Sequence, residues 1–392
     1  MMRIMRGNEA TALAAKLCRP NVIPAYPITP STMFPERISE YVADGELDSY
    51  FLLAESEHSA LSAAIGASST GARVCTATAS QGLALMHEML FIAAGMRLPI
   101  VMAVGNRALS APINIWCDQQ DTVSERDAGW IHYYAENNQE CLDFMIMAFK
   151  VGEDRRVYLP ALVGLDAFVL THTMEPVDVP EQAAVDDFLP PYVPHAILDP
   201  KTPMTIGALG TPEYYMETRY ALQKALMESA AVIDEVFDQF AKTFGRKYGR
   251  VSKYRSDDAE VIFVTMGSMT GTARVAVDEL RARGKRAGLV KICVLRPFPF
   301  KELKDSLCHA KVVAVTERAI SLGYGGAIYA ELAGHFVNEA RKPLLSSFIM
   351  GLGGRDVLPE HFYEMYEKSE QVMAGGKVEE FTGWAGLNRE VL

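Results

Sequence analysis

The sequence predicts an α/β protein with mainly parallel sheets, arranged as two successive units. Over the first ~240 residues, short apolar runs alternate with helix-length segments, the pattern of strands joined by helical crossovers. A second, shorter strand–helix–strand series starts near Asp258. Polar residues and special turn residues gather just after the apolar runs, the edge at which open α/β sheets bind ligands.

In chain order, Val22–Ala25 is an apolar run ending in a proline-rich loop, and Tyr50–Leu53 is another, ending at Glu55. Arg73–Thr78 reads as a strand stopping at Ala79-Ser80-Gln81-Gly82. Pro99–Val104 is strongly apolar and leads into Gly105-Asn106-Arg107, and Arg156–Leu165 is a later strand. Glu57–Ala67 and Leu83–Ala94 read as helices between them. Asp178–Thr205, rich in proline and acids, reads as an irregular surface excursion. Leu222, Leu226, Ile233, Val236, Phe237 and Phe240 then recur near helical spacing over Glu217–Phe244. Gly245–Arg255 is basic and holds two glycines, reading as a solvated linker or a phosphate patch. In the second unit, Val261–Met266, Arg286–Leu295 and Lys311–Thr316 read as strands, with a helix opening at Gly267-Ser268. The expected division is 1–244, a linker at 245–257, and 258–392.

Composition narrows the class. With 49% hydrophobic and 22% charged residues the chain is an ordinary globular protein, and its 392 residues allow two or three domains. No apolar run approaches the ~20 residues a membrane helix needs. The basic start Met1–Gly7 leads into no apolar core, so a cytoplasmic protein is expected. A formal charge of −11 argues against nucleic acid as partner. The six cysteines form no Cys-x-x-Cys and no Cys/His spacing suited to zinc or iron–sulfur, so reduced, mostly buried thiols are expected. The histidines share no ligand spacing either.

Four segments could carry chemistry. In Ala25–Thr32, Pro27 and Pro30 fix two φ angles and remove two donors, leaving Thr29, Ser31 and Thr32 in a stiff loop. Held hydroxyls suit a carboxylate or carbonyl oxygen, and the same residues equally make a rigid turn with a helix cap. Glu55 and Glu57 precede a helix of small residues, where a partly desolvated carboxylate would have a raised pKa and could share a proton. They also fit as acids complementing a helix N-terminus. Ser80-Gln81-Gly82 opens a helix whose amides could meet an anion, or which is only capped. Arg107 stands just beyond an apolar strand and could hold a carboxylate in a fork or a structural salt bridge. Gly323–Gly326 and Gly351–Arg355 lack Rossmann or Walker spacing and read as turns.

The ordered set AYPITPST, ESEHSA, TATASQGLALMHEML, RLPIVMAVGNRALSAPINIW, CDQQD, ERDAGW and AENNQE resembles the α subunit of 2-oxoacid:ferredoxin oxidoreductases. LRPFPFKEL and GLGGRD extend the likeness to nearly the whole chain, which is most similar to the multi-subunit pyruvate-using members. The resemblance implies a thiamine-diphosphate-binding-type parallel sheet sandwich followed by a smaller α/β domain like the C-terminal domain of transketolases. It implies that this chain supplies the pyrimidine side of a thiamine diphosphate shared with a partner. Glu57 matches the glutamate on the aminopyrimidine ring, which shares a proton with the ring nitrogen and so helps the cofactor deprotonate its own reactive carbon. Thr29 matches the loop threonine facing substrate, and Arg107 the arginine that binds the substrate carboxylate. Tyr26, Pro27, Ser80 and Gln81 fall in the matching cofactor loops.

Complete thiamine enzymes of this kind carry Gly-Asp-Gly followed by Asn to hold magnesium on the diphosphate, and no Gly-Asp-Gly occurs here. The resemblance therefore implies Mg2+ and a [4Fe-4S] cluster on a β subunit, further [4Fe-4S] clusters on γ and δ subunits, and ferredoxin docking on a cluster-bearing partner. Pyruvate and coenzyme A are the implied substrates. NRALSAPINIW resembles the pyruvate enzymes, whereas branched-chain relatives carry other residues after the arginine. The alternatives are another 2-oxoacid on the same machinery, or a non-catalytic scaffold chain of such a complex.

Overall fold

A computed structural model of the chain describes residues 1–378 and 380–392. The N-terminal sheet runs in the order Val294–Arg296, Ile131–Tyr134, Ala161–Asp166, Val101–Asn106, Cys75–Thr78. All its pairings are parallel except that of Val294–Arg296. The parallel pair Val22–Ala25 and Tyr50–Leu53 continues it through a parallel bridge between Val22 and Val74. Residues along Val101–Asn106 alternate between two cores. Val101 and Ala103 face the helices Gly7–Cys18, Asn138–Gly152 and Pro212–Phe244, while Met102 and Val104 face Glu57–Ser69 and His87–Gly95. A strand buried on both faces needs a nearly unbroken apolar run, and for that reason these strands were readable.

The C-terminal sheet has the order Gly383–Trp384, Leu344–Ile349, Val312–Glu317, Val261–Met266, Ala287–Ile292, Val251–Tyr254, with only the last strand antiparallel. Its faces are covered in the same way, Ile262 and Val264 on one side and Val261 and Phe263 on the other. No helix among the described residues is long and apolar enough to cross a membrane.

Several elements differ from the expectation. The run read as one strand over Arg286–Leu295 is two strands, Ala287–Ile292 and Val294–Arg296, and they belong to different sheets. Cys293 marks the crossing, its N–H and that of Val294 both donating to the Arg250 carbonyl. The expected helix Leu83–Ala94 is divided at Met86 into Ser80–Leu85 and His87–Gly95. The long helix starts earlier, at Pro212, with proline in its first turn and Gly245 ending it at φ 74°. Met2–Arg6, unassigned in the sequence, pairs antiparallel with Met174–Asp178.

The C-terminal edges of the two sheets face each other. Asp166, ending its strand, accepts from the Ser268 N–H at 2.9 Å and from Arg318 Nη1 at 3.0 Å, both from loops after C-terminal strands. Elsewhere between the units, Arg274 forks onto Glu136 and buried Lys291 meets Glu136 and Glu140.

Buried His132 has no hydrogen-bond partner for either ring nitrogen among the described residues. Burial, with repulsion from Arg296 and Arg126, pushes its pKa down to about 3. The ring is neutral in the folded chain and charges when unfolded as pH falls below 6.5. Its contribution to stability is full above that pH and declines toward pH 3. At pH 5 the loss is about 2 kcal/mol relative to neutral pH. In the variant His132→Leu, thermal midpoints measured at pH 5 and 7.5 should lie closer together than in the parent. An unchanged gap would assign the acid sensitivity to other groups.

Candidate active site

The four strand-end segments meet. Arg107 follows the strand Val101–Asn106 and is 7% exposed. Its Nη1 donates to the Thr29 carbonyl at 2.8 Å and its Nε to the Asn114 carbonyl at 3.0 Å. Among the described residues Nη2 has no partner, and burial lowers the pKa of the guanidinium. The loop after Val22–Ala25 is pinned at both ends of Pro30-Ser31. Asn8 Nδ2 donates to the Pro30 carbonyl at 2.7 Å, and Ser31 Oγ donates to the Thr78 carbonyl at 2.9 Å. Ser31 therefore spends its hydroxyl on the scaffold, whereas Thr29 stays exposed beside Arg107. Tyr26 is half-buried and Pro27 exposed on the same loop.

Glu57 is the first residue of the helix Glu57–Ser69, capped by Ser56, whose Oγ accepts from the Ser59 N–H at 3.1 Å. It is 7% exposed, and its carboxylate has no hydrogen-bond partner among the described residues. Glu55, by contrast, lies exposed and accepts from Ser59 Oγ. A Cβ on Gly82 would stand 2.6 Å from Glu57 Oε1 and 2.5 Å from Thr78 Oγ1, distances no side chain tolerates. Glycine at 82 thus lets a carboxylate and a buried hydroxyl close onto the helix backbone side by side. Among the described residues Thr78 Oγ1 has no partner, nor does Gln81 Nε2 on the adjoining turn. Buried polar atoms are rarely left unpaired. An acid, a hydroxyl and an amide donor awaiting partners suit the polar edge of a nitrogen heterocycle.

Ser80 is fully buried, at a φ of 48° that non-glycine residues seldom adopt. Its N–H donates to Asp121 Oδ2 at 3.0 Å and its hydroxyl lies 2.5 Å from the Ala108 carbonyl and 2.6 Å from Gln81 Oε1. Ser80 thus ties its own turn to the segment after Arg107, and its N–H is already used.

The residue that sequence reading missed is Asp121. It is 2% exposed and takes four N–H donors, from the backbones of Ser80, Arg107 and Thr122 and from Asn106 Nδ2. Burial pushes its carboxyl up to about 7 against the pull of those donors. One carboxylate therefore sets the spacing between the Ser80 turn and Arg107. It closes the CDQQD segment, but nothing there marks its role, because Arg107 and Ser80 lie 14 and 41 residues away.

Among the described residues no group of His, Cys, Asp and Glu could hold a metal ion. All six cysteines are free thiols, five of them buried.

The fold and these strand-end residues define a class. Residues 13–238 match the family model "Pyruvate flavodoxin/ferredoxin oxidoreductase, thiamine diP-bdg", a thiamine-diphosphate-binding domain, and residues 259–362 match "Pyruvate:ferredoxin oxidoreductase core domain II". The pyruvate synthase subunit PorA of Pyrococcus abyssi is 57% identical over 99% of both chains. That of Methanothermobacter thermautotrophicus is 49% identical over 100% of this chain and 99% of its own. The ketoisovalerate oxidoreductase subunit VorA of Pyrococcus abyssi is 45% identical over 99% of this chain and 98% of its own. The chain belongs to the pyruvate flavodoxin/ferredoxin oxidoreductase family. Its fold is shared with a solved 2-oxoglutarate:ferredoxin oxidoreductase from Magnetococcus marinus. The TM-score is 0.71 at 20% identity, over 94% of this chain and 65% of that one.

Proposed function

We propose that this chain is the α subunit of a cytoplasmic pyruvate:ferredoxin oxidoreductase, which converts pyruvate and coenzyme A to acetyl-CoA and carbon dioxide and passes the electrons to ferredoxin, in either direction. The observation that carries the reading is the pairing of two unsatisfied groups. One is a buried carboxylate, Glu57, facing an orphan hydroxyl across Gly82. The other is Arg107, fixed through Thr29 and Asn114 with one face free. The higher identity to pyruvate synthase subunits than to a ketoisovalerate subunit favours pyruvate. The division into 1–244, a linker at 245–257 and 258–392 belongs to this reading, although Val251–Tyr254 within that linker is a strand of the C-terminal sheet.

In this reading Glu57, Thr78 and Gln81 hold the pyrimidine edge of thiamine diphosphate, with Tyr26, Pro27 and the Ser80 turn closing the loops around it. Bound there, the cofactor supplies a carbon nucleophile and an electron sink for the loss of carbon dioxide. Glu57 keeps one proton available to the ring nitrogen. Arg107 takes the substrate carboxylate on its free Nη2 edge, and exposed Thr29, whose carbonyl holds Nη1, is the second contact. The chain's other residues hold these groups still: Asp121 sets Arg107 against the Ser80 turn, and Asn8 and Ser31 fix the Thr29 loop.

Magnesium, the diphosphate side and the [4Fe-4S] clusters are assigned to β, γ and δ partner subunits, since this sequence lacks Gly-Asp-Gly and cluster-type cysteine spacing. Neither nucleic acid nor membrane is assigned as a partner. The test is the purified complex assayed with pyruvate and with 2-oxoisovalerate. Pyruvate is expected to have the higher kcat/KM by at least about tenfold. Preference for 2-oxoisovalerate would overturn the substrate, and no activity with any 2-oxoacid would overturn the enzyme reading.

A further inference from the structure

Arg107 starts a hairpin. It bridges antiparallel to Cys117, and the Ala108 N–H donates to the Trp116 carbonyl at 3.1 Å. The tip at Ala111–Ile113 is exposed, and on the N-terminal side the outer part of the loop is met by Phe168, whose ring lies 6.2 Å from that of Trp116. The Arg107 guanidinium leans on that outer part through the Asn114 carbonyl.

The hairpin is held from the other sheet. The glycine turn after Leu344–Ile349, read from sequence as a plain turn, lies along it. Asn114 Nδ2 donates to the Gly353 carbonyl at 3.0 Å, and the Gly354 N–H donates to the Cys117 carbonyl at 2.7 Å. The Gly353 N–H donates to Asp118 Oδ2 at 3.0 Å. Asn114 Oδ1 in turn accepts from the Trp116 N–H at 2.8 Å, locking the hairpin internally. The contact tolerates no side chain at Gly353 or Gly354. Gly353 and Gly354 have φ of 59° and 79°, and a Cβ on Gly354 would lie 2.3 Å from Trp116 Cβ.

We propose that the Gly351–Gly354 turn is a latch through which the C-terminal unit fixes the pose of Arg107, with Asn114 as the positioning residue between them. The proposal rests on Arg107 being the carboxylate ligand. Two N–H donors of the guanidinium are already committed, so its free edge is aimed before substrate arrives and less rotamer freedom is lost on binding. The second unit of the chain thereby sets substrate affinity without touching substrate. The carboxylate is the group that departs as carbon dioxide, so its ion pair with Arg107 serves binding more than the later steps. Loosening the latch should raise KM and spare kcat.

The experiment measures pyruvate kinetics in the assembled complex for four variants. Asn114→Ala removes the bonds to Gly353 and Trp116, and Gly354→Ala forces the turn away from Trp116. Each should raise KM about tenfold with kcat within about twofold. Arg274→Gln breaks a different contact between the units, the fork onto Glu136, and should leave KM unchanged. Arg107→Gln tests the underlying assignment. If it leaves KM unchanged, the carboxylate reading fails. If it raises KM while Asn114→Ala does not, the latch is overturned and the ligand assignment stands. An equal rise in Arg274→Gln would also overturn the latch, showing a general effect of unit docking. Should Gly354→Ala not assemble, Asn114→Ala alone decides.

Discussion

A complex carrying Glu57→Gln is expected to lose turnover by about 10²–10⁴-fold while still assembling. Glutamine keeps the shape of the side chain, and therefore the packing against Gly82 and Thr78. It removes the ability to hold and return a proton. Proton sharing with a bound ring needs a carboxyl group at this place, and an amide cannot replace it. The check is steady-state turnover, together with thiamine diphosphate released from the denatured complex. Retained cofactor with collapsed turnover marks a proton-transfer role. Near-parental turnover would remove Glu57 from the mechanism, and loss of the cofactor would reduce its role to binding.

The second large effect is expected at Arg107. A charge-assisted bond to a carboxylate in a dry site contributes about 1.5–3 kcal/mol, so Arg107→Gln should raise the KM for pyruvate about 10- to 100-fold. Arg107→Lys should rescue little. The guanidinium reaches Asn114 and Thr29 with two different nitrogens, and in the proposed role a third takes substrate; one ammonium cannot span all three directions. Full rescue by lysine would mean that only the charge matters and that the fork has no role.

The strands, and the convergence of four polar segments at one sheet edge, were legible because both follow from local rules. A strand covered on both faces has to be apolar throughout, and parallel connections bring successive strand ends to one side. What was hidden depends on partners distant in sequence. The Asp121 hub, the spent hydroxyl of Ser31 and the left-handed backbone at Ser80 leave no periodic trace. The departure of Val294–Arg296 to the other sheet is equally silent, since apolar runs in either sheet look alike. Gly351–Arg355 read as a turn and is one, but its contact across the units could not be seen from spacing.

The facing sheet edges bear on how such a chain can be recombined. Asp166 and Arg318 are almost fully buried against each other, one from each sheet. Leaving either without its mate costs about 3–5 kcal/mol. A chimera joining the N-terminal portion of one relative to the C-terminal portion of another would thus inherit a compatibility condition at Asp166 and Arg318. It would also inherit the donor's setting of Arg107. On the latch proposal, the exchanged half would then tune substrate affinity although it carries neither Glu57 nor Arg107.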